Sequence, residues 1–117
     1  ALGCAQMDKL PLFIESKRKL FNNYFEAFKN IDGIKLFSEP RNSRSNYWLQ
    51  TLILEKGYEK ELLNILNYTN MSGLNTRPAW ELMHTLKMYK ECPRAPLPIA
   101  ESLAKRIINI PSSAFLI

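Results

Sequence analysis

YWLQTLIL, from Tyr47 to Leu54, gathers aromatic, leucine and β-branched side chains into one run with little polar interruption. Its apolar residues fall on both faces of a pleat, the pattern of a strand with neighbours on either side. This reading decides the fold class, because it supplies the central strand of a sheet. Upstream, EPRNSRSN (39–46) carries polar turn chemistry and predicts a loop, and IKLF (34–37) predicts a short strand. Gly57 marks the turn that follows.

Outward from this centre the periodicity changes to 3.6. From Leu12, the residues Phe13, Leu20, Phe21, Tyr24, Phe25 and Phe28 recur at helical spacing, with Glu15, Lys17, Arg18, Lys19 and Glu26 between them. Pro11 predicts either a kink in this helix or a break that frees a short N-terminal piece. Asn30 to Gly33 supply the stop. YEKELLNILNYTNMSG (58–73) predicts a second helix with Leu62, Ile65 and Leu66 as its stripe and Gly73 as its end. LNTRPAW (74–80) leaves in extended form, since the residue before a proline is pushed out of the helical region. Glu81 to Pro98, with Pro93 and Pro96, predicts mostly loop after a short helical turn. IAESLAKRI (99–107) predicts a third long helix with Ala100, Leu103, Ala104 and Ile107 inward, and IINIP (107–111) a last strand. The expected fold is α+β: one domain over 1–117, with a small antiparallel or mixed sheet of three to four strands covered by helices. Residues 1–30 form a helical region and 31–117 the layered part.

Composition narrows the function classes. The chain has 117 residues, 46% hydrophobic and 23% charged, which is globular and not disordered. No apolar run is long enough to cross a membrane. Cys4 and Cys92 lie far apart without metal-type spacing, so reduced thiols in a cytosolic protein are the expectation. One histidine and no cysteine pair exclude a zinc site. Net charge is +5, densest in ESKRKLFNNYF (15–25) and then PRNSRSN (40–46). A solvated helix face and a loop account for both stretches. A basic binding module for nucleic acid or a protein partner is kept as the alternative. ALGCAQMDKL (1–10) opens on helix-forming apolar residues without an initiator Met, and PSSAFLI (111–117) stops on apolar residues. Both ends predict a piece of a longer chain.

GLNTRPAWELMH (73–84) holds the candidate chemistry. Pro78 stiffens the turn that carries Arg77, whose planar guanidinium suits a carboxylate or phosphate. The plainer reading is a surface arginine at a helix end. Trp80 and His84 are four apart and share a face if the chain turns helical after Pro78. Together they suit a sugar or base ring and a hydroxyl or phosphate oxygen. The plainer reading is a core tryptophan and a histidine satisfied by a backbone carbonyl. Tyr89 and Lys87 reach toward the same ligand or belong to a solvated loop. Strand alternation sends Tyr47 and Trp48 to opposite faces, with core packing as the better reading for both. Arg44 and Asn46 are placed at a domain junction.

Taken in order, ALGCAQMDKL with SKRKLFNNYF, then SNYWLQTLIL, LNTRPAWELMHTLKMY and LPIAESLAKRIINIPSS resemble the C-terminal small domain of fold-type-I, DegT/StrS-type sugar-nucleotide aminotransferases. The likeness is greatest to those of the legionaminic-acid and bacillosamine branches. It covers essentially the whole chain. It implies a cytoplasmic homodimeric enzyme that uses pyridoxal phosphate (PLP) to move an amino group, usually from glutamate, onto a nucleotide-linked 4-keto-6-deoxy sugar for surface polysaccharide. A UDP-linked 2-acetamido-4-keto-2,4,6-trideoxyhexose is the substrate implied, and residues 1–30 become an interdomain helix region. It also implies substrate contacts from Arg77, Trp80, His84 and Tyr89. The Schiff-base lysine, the pyridine-nitrogen carboxylate and the phosphate-binding residues belong to the family's large domain. No catalytic, cofactor-binding or metal residue is therefore assigned here, and the fragment alone is expected neither to hold PLP nor to transaminate.

Overall fold

The computed structural model describes residues 2–117; Ala1, the first residue of the expected helical region, lies outside them. The elements are α1 (Leu2–Met7), α2 (Leu10–Phe28), β1 (Ile34–Leu36), β2 (Gln50–Leu54), α3 (Glu61–Met71), β3 (Arg77–Pro78), two 3₁₀ turns (Met83–Thr85 and Lys87–Tyr89), α4 (Pro98–Ala104) and β4 (Ile107–Ile110). The four strands form one antiparallel sheet in the order β1-β2-β4-β3. This is the α+β layer expected, with β2 inside the sheet.

Pro11 resolves as a break. It occupies the first turn of α2, where its missing N–H costs no helical hydrogen bond, and α1 stands apart as a separate short helix. The strand alternation then places the core. Leu52 and Leu54 of β2, Leu36 of β1, and Ile108 and Ile110 of β4 point to one face, joined by Leu66 of α3. Phe21, Tyr24 and Phe28 of α2 and Leu62 and Ile65 of α3 cover that face. Thr51 and Ile53 are only half-buried on the other side. The run that looked apolar on both faces thus has one face fully in the core, as antiparallel sheets commonly do.

Three sequence expectations are corrected. Strand β2 begins at Gln50, not Tyr47. Tyr47 instead takes a left-handed backbone (φ 46°) so that its buried ring can stack on Phe21, centroids 4.2 Å apart. Trp48 is turned outward and is 67% exposed, so core packing holds for Tyr47 alone. The third long helix is short, ending at Ala104, and Ile107 belongs to β4. The sheet captures the chain there: Leu54 N–H donates to the Arg106 carbonyl, and the Arg106 guanidinium donates to the Leu54 carbonyl at 2.7 Å.

Candidate functional site

The turn before Arg77 is built by side-chain hydrogen bonds. Gly73 takes φ 80°, and Leu74 N–H reaches back to the Thr69 carbonyl. Buried Thr76 has its hydroxyl 2.6 Å from that of Thr69, and Asn70 Nδ2 donates to both the Thr76 carbonyl and hydroxyl. Thr76 is therefore pinned to α3. The next two residues pair with β4 as an edge strand, Arg77 opposite Asn109 and Pro78 opposite Ile108. A proline is tolerated at an edge, where one backbone donor is dispensable. Arg77 is exposed and lines a groove of about 470 Å³ with Trp48, Asn75 and Ser113.

Beyond Pro78 the chain runs without helix until Met83, so Trp80 and His84 do not share a helical face. Pro78 and the sheet pairing hold the backbone extended, against the helical alternative. The fold still brings the two residues together by another route. Both line a second groove of about 470 Å³, closed by Glu81, Glu101 and Lys105. The His84 side chain is only 13% exposed, with Nε2 3.3 Å from Glu101 Oε1. Arg94 Nη1 stands 3.8 Å from the same oxygen. His84 therefore faces a carboxylate and not the backbone carbonyl of the plainer reading. Trp80 is largely exposed and is not core filler. Tyr89 lies on the other side of His84, in a depression of about 410 Å³ shared with Cys92, Arg94 and Leu97. Lys87 is exposed in the same loop. The structure thus gathers Trp80, His84 and Tyr89 about one loop and sets Arg77 in a different groove.

Glu101 and Arg94 were not among the residues singled out from sequence. A carboxylate in the first turn of α4 reads as ordinary helix-end chemistry, and only the fold of the 79–97 loop carries His84 to it. A second cluster fixes the loop before β2. Arg18 Nη2 and Nη1 donate to Glu39 Oε1 at 2.6 Å and Oε2 at 3.2 Å, and Ser45 N–H donates to Glu39 Oε2 at 2.6 Å. These bonds, the Arg18 one foremost, hold the Glu39 carboxyl below its ordinary range. Arg44 and Asn46 line the broad open depression beside this clamp, together with Leu10 and Ile14 of α2.

Among the described residues, Lys17 is the one lysine that is not exposed. Burial lowers its pKa, and Nζ donates to the carbonyls of Trp48, at 3.1 Å, and of Ser112. An ammonium committed to two carbonyls ties α2 to the sheet ends and is not a free amine for an aldehyde. Lys17 as placed does not fit PLP. Among the described residues no cluster of three or more His, Cys, Asp or Glu could hold a metal ion, and no helix is long and apolar enough to cross a membrane. Cys4 and Cys92 are exposed and unpaired.

The sequence matches the DegT/DnrJ/EryC1/StrS aminotransferase family over residues 1–116. It is 33% identical over 113 residues to the GDP-perosamine synthase of Escherichia coli O157:H7, covering 96% of this chain and 29% of that protein. The Helicobacter pylori aminotransferase PseC, involved in the biosynthesis of pseudoaminic acid, superposes with a TM-score of 0.90 at 20% identity, over 99% of this chain and 32% of its own. An E. coli GDP-4-keto-6-deoxy-D-mannose-3-dehydratase with bound hydrated PLP gives 0.79 at 21% identity, over 97% and 30%. These structural likenesses establish the fold, and the last of them hosts a different reaction. The chain spans about 30% of the length of the curated relatives it matches.

Proposed function

Since the chain belongs to the DegT/DnrJ/EryC1/StrS aminotransferase family, we propose that it is the C-terminal small domain of a PLP-dependent enzyme. That enzyme transfers an amino group from glutamate to a nucleotide-linked 4-keto-6-deoxy sugar destined for surface polysaccharide. The sugar is a UDP-linked 2-acetamido-4-keto-2,4,6-trideoxyhexose of the legionaminic-acid or bacillosamine type. The observation that carries the reading is the groove where Trp80 stands beside a nearly covered His84, itself held against Glu101. An aromatic wall, an imidazole and a carboxylate suit a hydroxyl-rich ring better than an apolar ligand. In this reading His84 contacts the sugar and Tyr89 extends the contact along the same loop. Arg77 binds an anionic group, and proton transfer belongs to a lysine outside this chain.

PLP, when bound, supplies the electron sink for amino transfer. Its anchoring groups lie in the larger part of the enzyme, so the present chain alone holds no PLP and does not transaminate. Residues 1–30 are then an interdomain helix region and 31–117 the cap over the cleft, in a cytoplasmic homodimer. The nucleic-acid alternative loses support from the densest basic stretch, since Lys17 and Arg18 are engaged by carbonyls and by Glu39. The test uses the full-length protein with PLP, glutamate and a panel of 4-keto nucleotide sugars, with mass spectrometry of the sugar product. An amino sugar is expected. A folded, PLP-loaded protein that converts no keto sugar overturns the reading.

A further inference from the structure

Arg106 is buried and, among the described residues, enters no ion pair. Its guanidinium holds two elements together instead. One nitrogen, Nη1, donates to the Leu54 carbonyl at the end of β2 at 2.7 Å, and Nη2 donates to Ser102 Oγ in α4 at 3.2 Å. Helix α4 is too short to stand on its own hydrogen bonds, so this clamp sets where it lies on the sheet. Ser102 is the chain neighbour of Glu101. The carboxylate that meets His84 is thus fixed to the core through one buried side chain.

His84 has no such anchor in its own backbone. The hydrogen bonds about it run from Thr85 N–H to Leu82, Leu86 N–H to Met83 and Tyr89 N–H to Leu86, and all close within one loop. The ring is nonetheless nearly covered, with Nε2 3.3 Å from Glu101 Oε1. Arg94 reaches the same oxygen only at 3.8 Å and is half-exposed, and so loose a pair contributes little. Glu81 and Lys105 line the same groove, yet among the described residues no ion pair joins either to His84. Two bare lone pairs at the distance of Nε2 from Oε1 would repel, so the nitrogen facing the carboxylate carries a proton. In the neutral ring that choice leaves Nδ1 with a lone pair and no hydrogen.

We propose that Glu101 is a positioning residue for His84: it fixes the imidazole proton on Nε2, so that the ring offers a substrate the Nδ1 lone pair. His84 then recognises a hydrogen-bond donor, a hydroxyl or an amide N–H, and not a phosphate oxygen. The inference rests on the reading above that His84 contacts the substrate. Arg106 and Ser102 act one step further back, by holding α4 to β2.

The full-length PLP-loaded enzyme carries the test. Nitrogen NMR of histidine-labelled protein at about pH 8.5, above the ordinary imidazole range, reads the tautomer without turnover. The His84 signal is the one that His84→Gln removes. Its proton is expected on Nε2 in the wild type and divided between both nitrogens in Glu101→Leu. Kinetics follow with the 4-keto nucleotide sugar that the wild type converts. Glu101→Leu is expected to raise KM about fivefold, more than it lowers kcat, and to add nothing in a His84→Ala background. Glu101→Gln keeps an acceptor oxygen and should recover most of that loss. A carboxylate that only stabilises the fold would lower thermal midpoint and kcat alike in both backgrounds, which overturns the proposal. So does a His84 proton found on Nδ1, or a wild-type KM in Glu101→Leu where His84→Ala raises it. The wild-type spectrum decides the matter if Glu101→Leu fails to fold. An Nε2 proton in an enzyme whose KM ignores His84→Ala would instead discard the substrate contact and keep the positioning.

Discussion

Arg18 and Glu39 meet as a two-pronged ion pair across 21 positions of sequence, and the Ser45 N–H completes the carboxylate's coordination. One end lies on α2 and the other in the loop that leads to the strained turn. The Glu39 pKa is lowered from its ordinary 4.5, first by Arg18 and then by Ser45. A carboxylate with a folded pKa below its unfolded one contributes stability that is full above the unfolded value. That contribution is lost as pH falls through the depressed value. The urea midpoint should therefore drop on acidification from about pH 5 to about pH 3, and drop less in Glu39→Gln. Equal acid sensitivity in the two proteins would contradict the assignment.

Gly33 and Gly73 share φ 80° but not surroundings. A Cβ at Gly33 would lie 2.9 Å from Tyr58 Cζ, whereas one at Gly73 would meet open space. Gly73→Ala should cost only the left-handed penalty of about 1–2 kcal/mol. Gly33→Ala should cost more, and Tyr58→Ala in that background should recover part of the difference. Denaturant melts of the four proteins check the ordering, and equal losses at the two glycines would refute it.

Asn70 ties the Arg77 turn to α3 through two contacts to Thr76 and one to the Leu66 carbonyl. Asn70→Ala strips partners from a buried threonine and should lower stability by about 1–3 kcal/mol. Hydrogen exchange should rise at Leu74 and Thr76 before it rises in β2. Uniform loosening of the sheet would show that the network does not act locally.

His84 is predicted to bind and not to exchange protons. In the full-length enzyme, His84→Ala should raise KM for the nucleotide sugar more than it lowers kcat. Glu101→Gln should follow in the same direction but more weakly, because it keeps the side chain's size and loses only the charge facing Nε2. A collapse of kcat at unchanged KM in His84→Ala would assign chemistry to the imidazole.

The N-terminal helices expose apolar side chains, Leu2, Met7 and Leu12 among them, and Phe115 of the C-terminal segment packs edge-on against Phe13. Surfaces of that kind seldom stay uncovered. The isolated chain should associate as its concentration rises in light scattering. A clean monomer at high concentration would count against an interdomain role for this surface.

Much of this was legible in the sequence. Periodicity located α2, α3 and the sheet, because a 3.6 repeat such as Phe21, Tyr24, Phe28 can bury only as a helix stripe. Alternation in QTLIL can bury only as a strand. Family membership was legible as well, in motifs whose order survives along the whole chain. The site was legible only as a set of residue types. Nothing in local spacing tells that Tyr47 would be buried by a left-handed turn and Trp48 thrown outward. That outcome depends on Phe21 and Lys17, a helix away.

Propensity and pattern, which act over a few residues, determined that this chain is a small sheet roofed by helices; the antiparallel pairing throughout came with the tertiary structure. The tertiary structure alone decided which side chains meet. Glu101 reaches His84, and Arg77 falls in with Trp48 and not with Trp80. Such meetings are set by how the loops between elements are pinned, by Thr76 on Asn70 and Glu39 on Arg18. Those hydrogen bonds form between side chains that only the finished packing brings into reach.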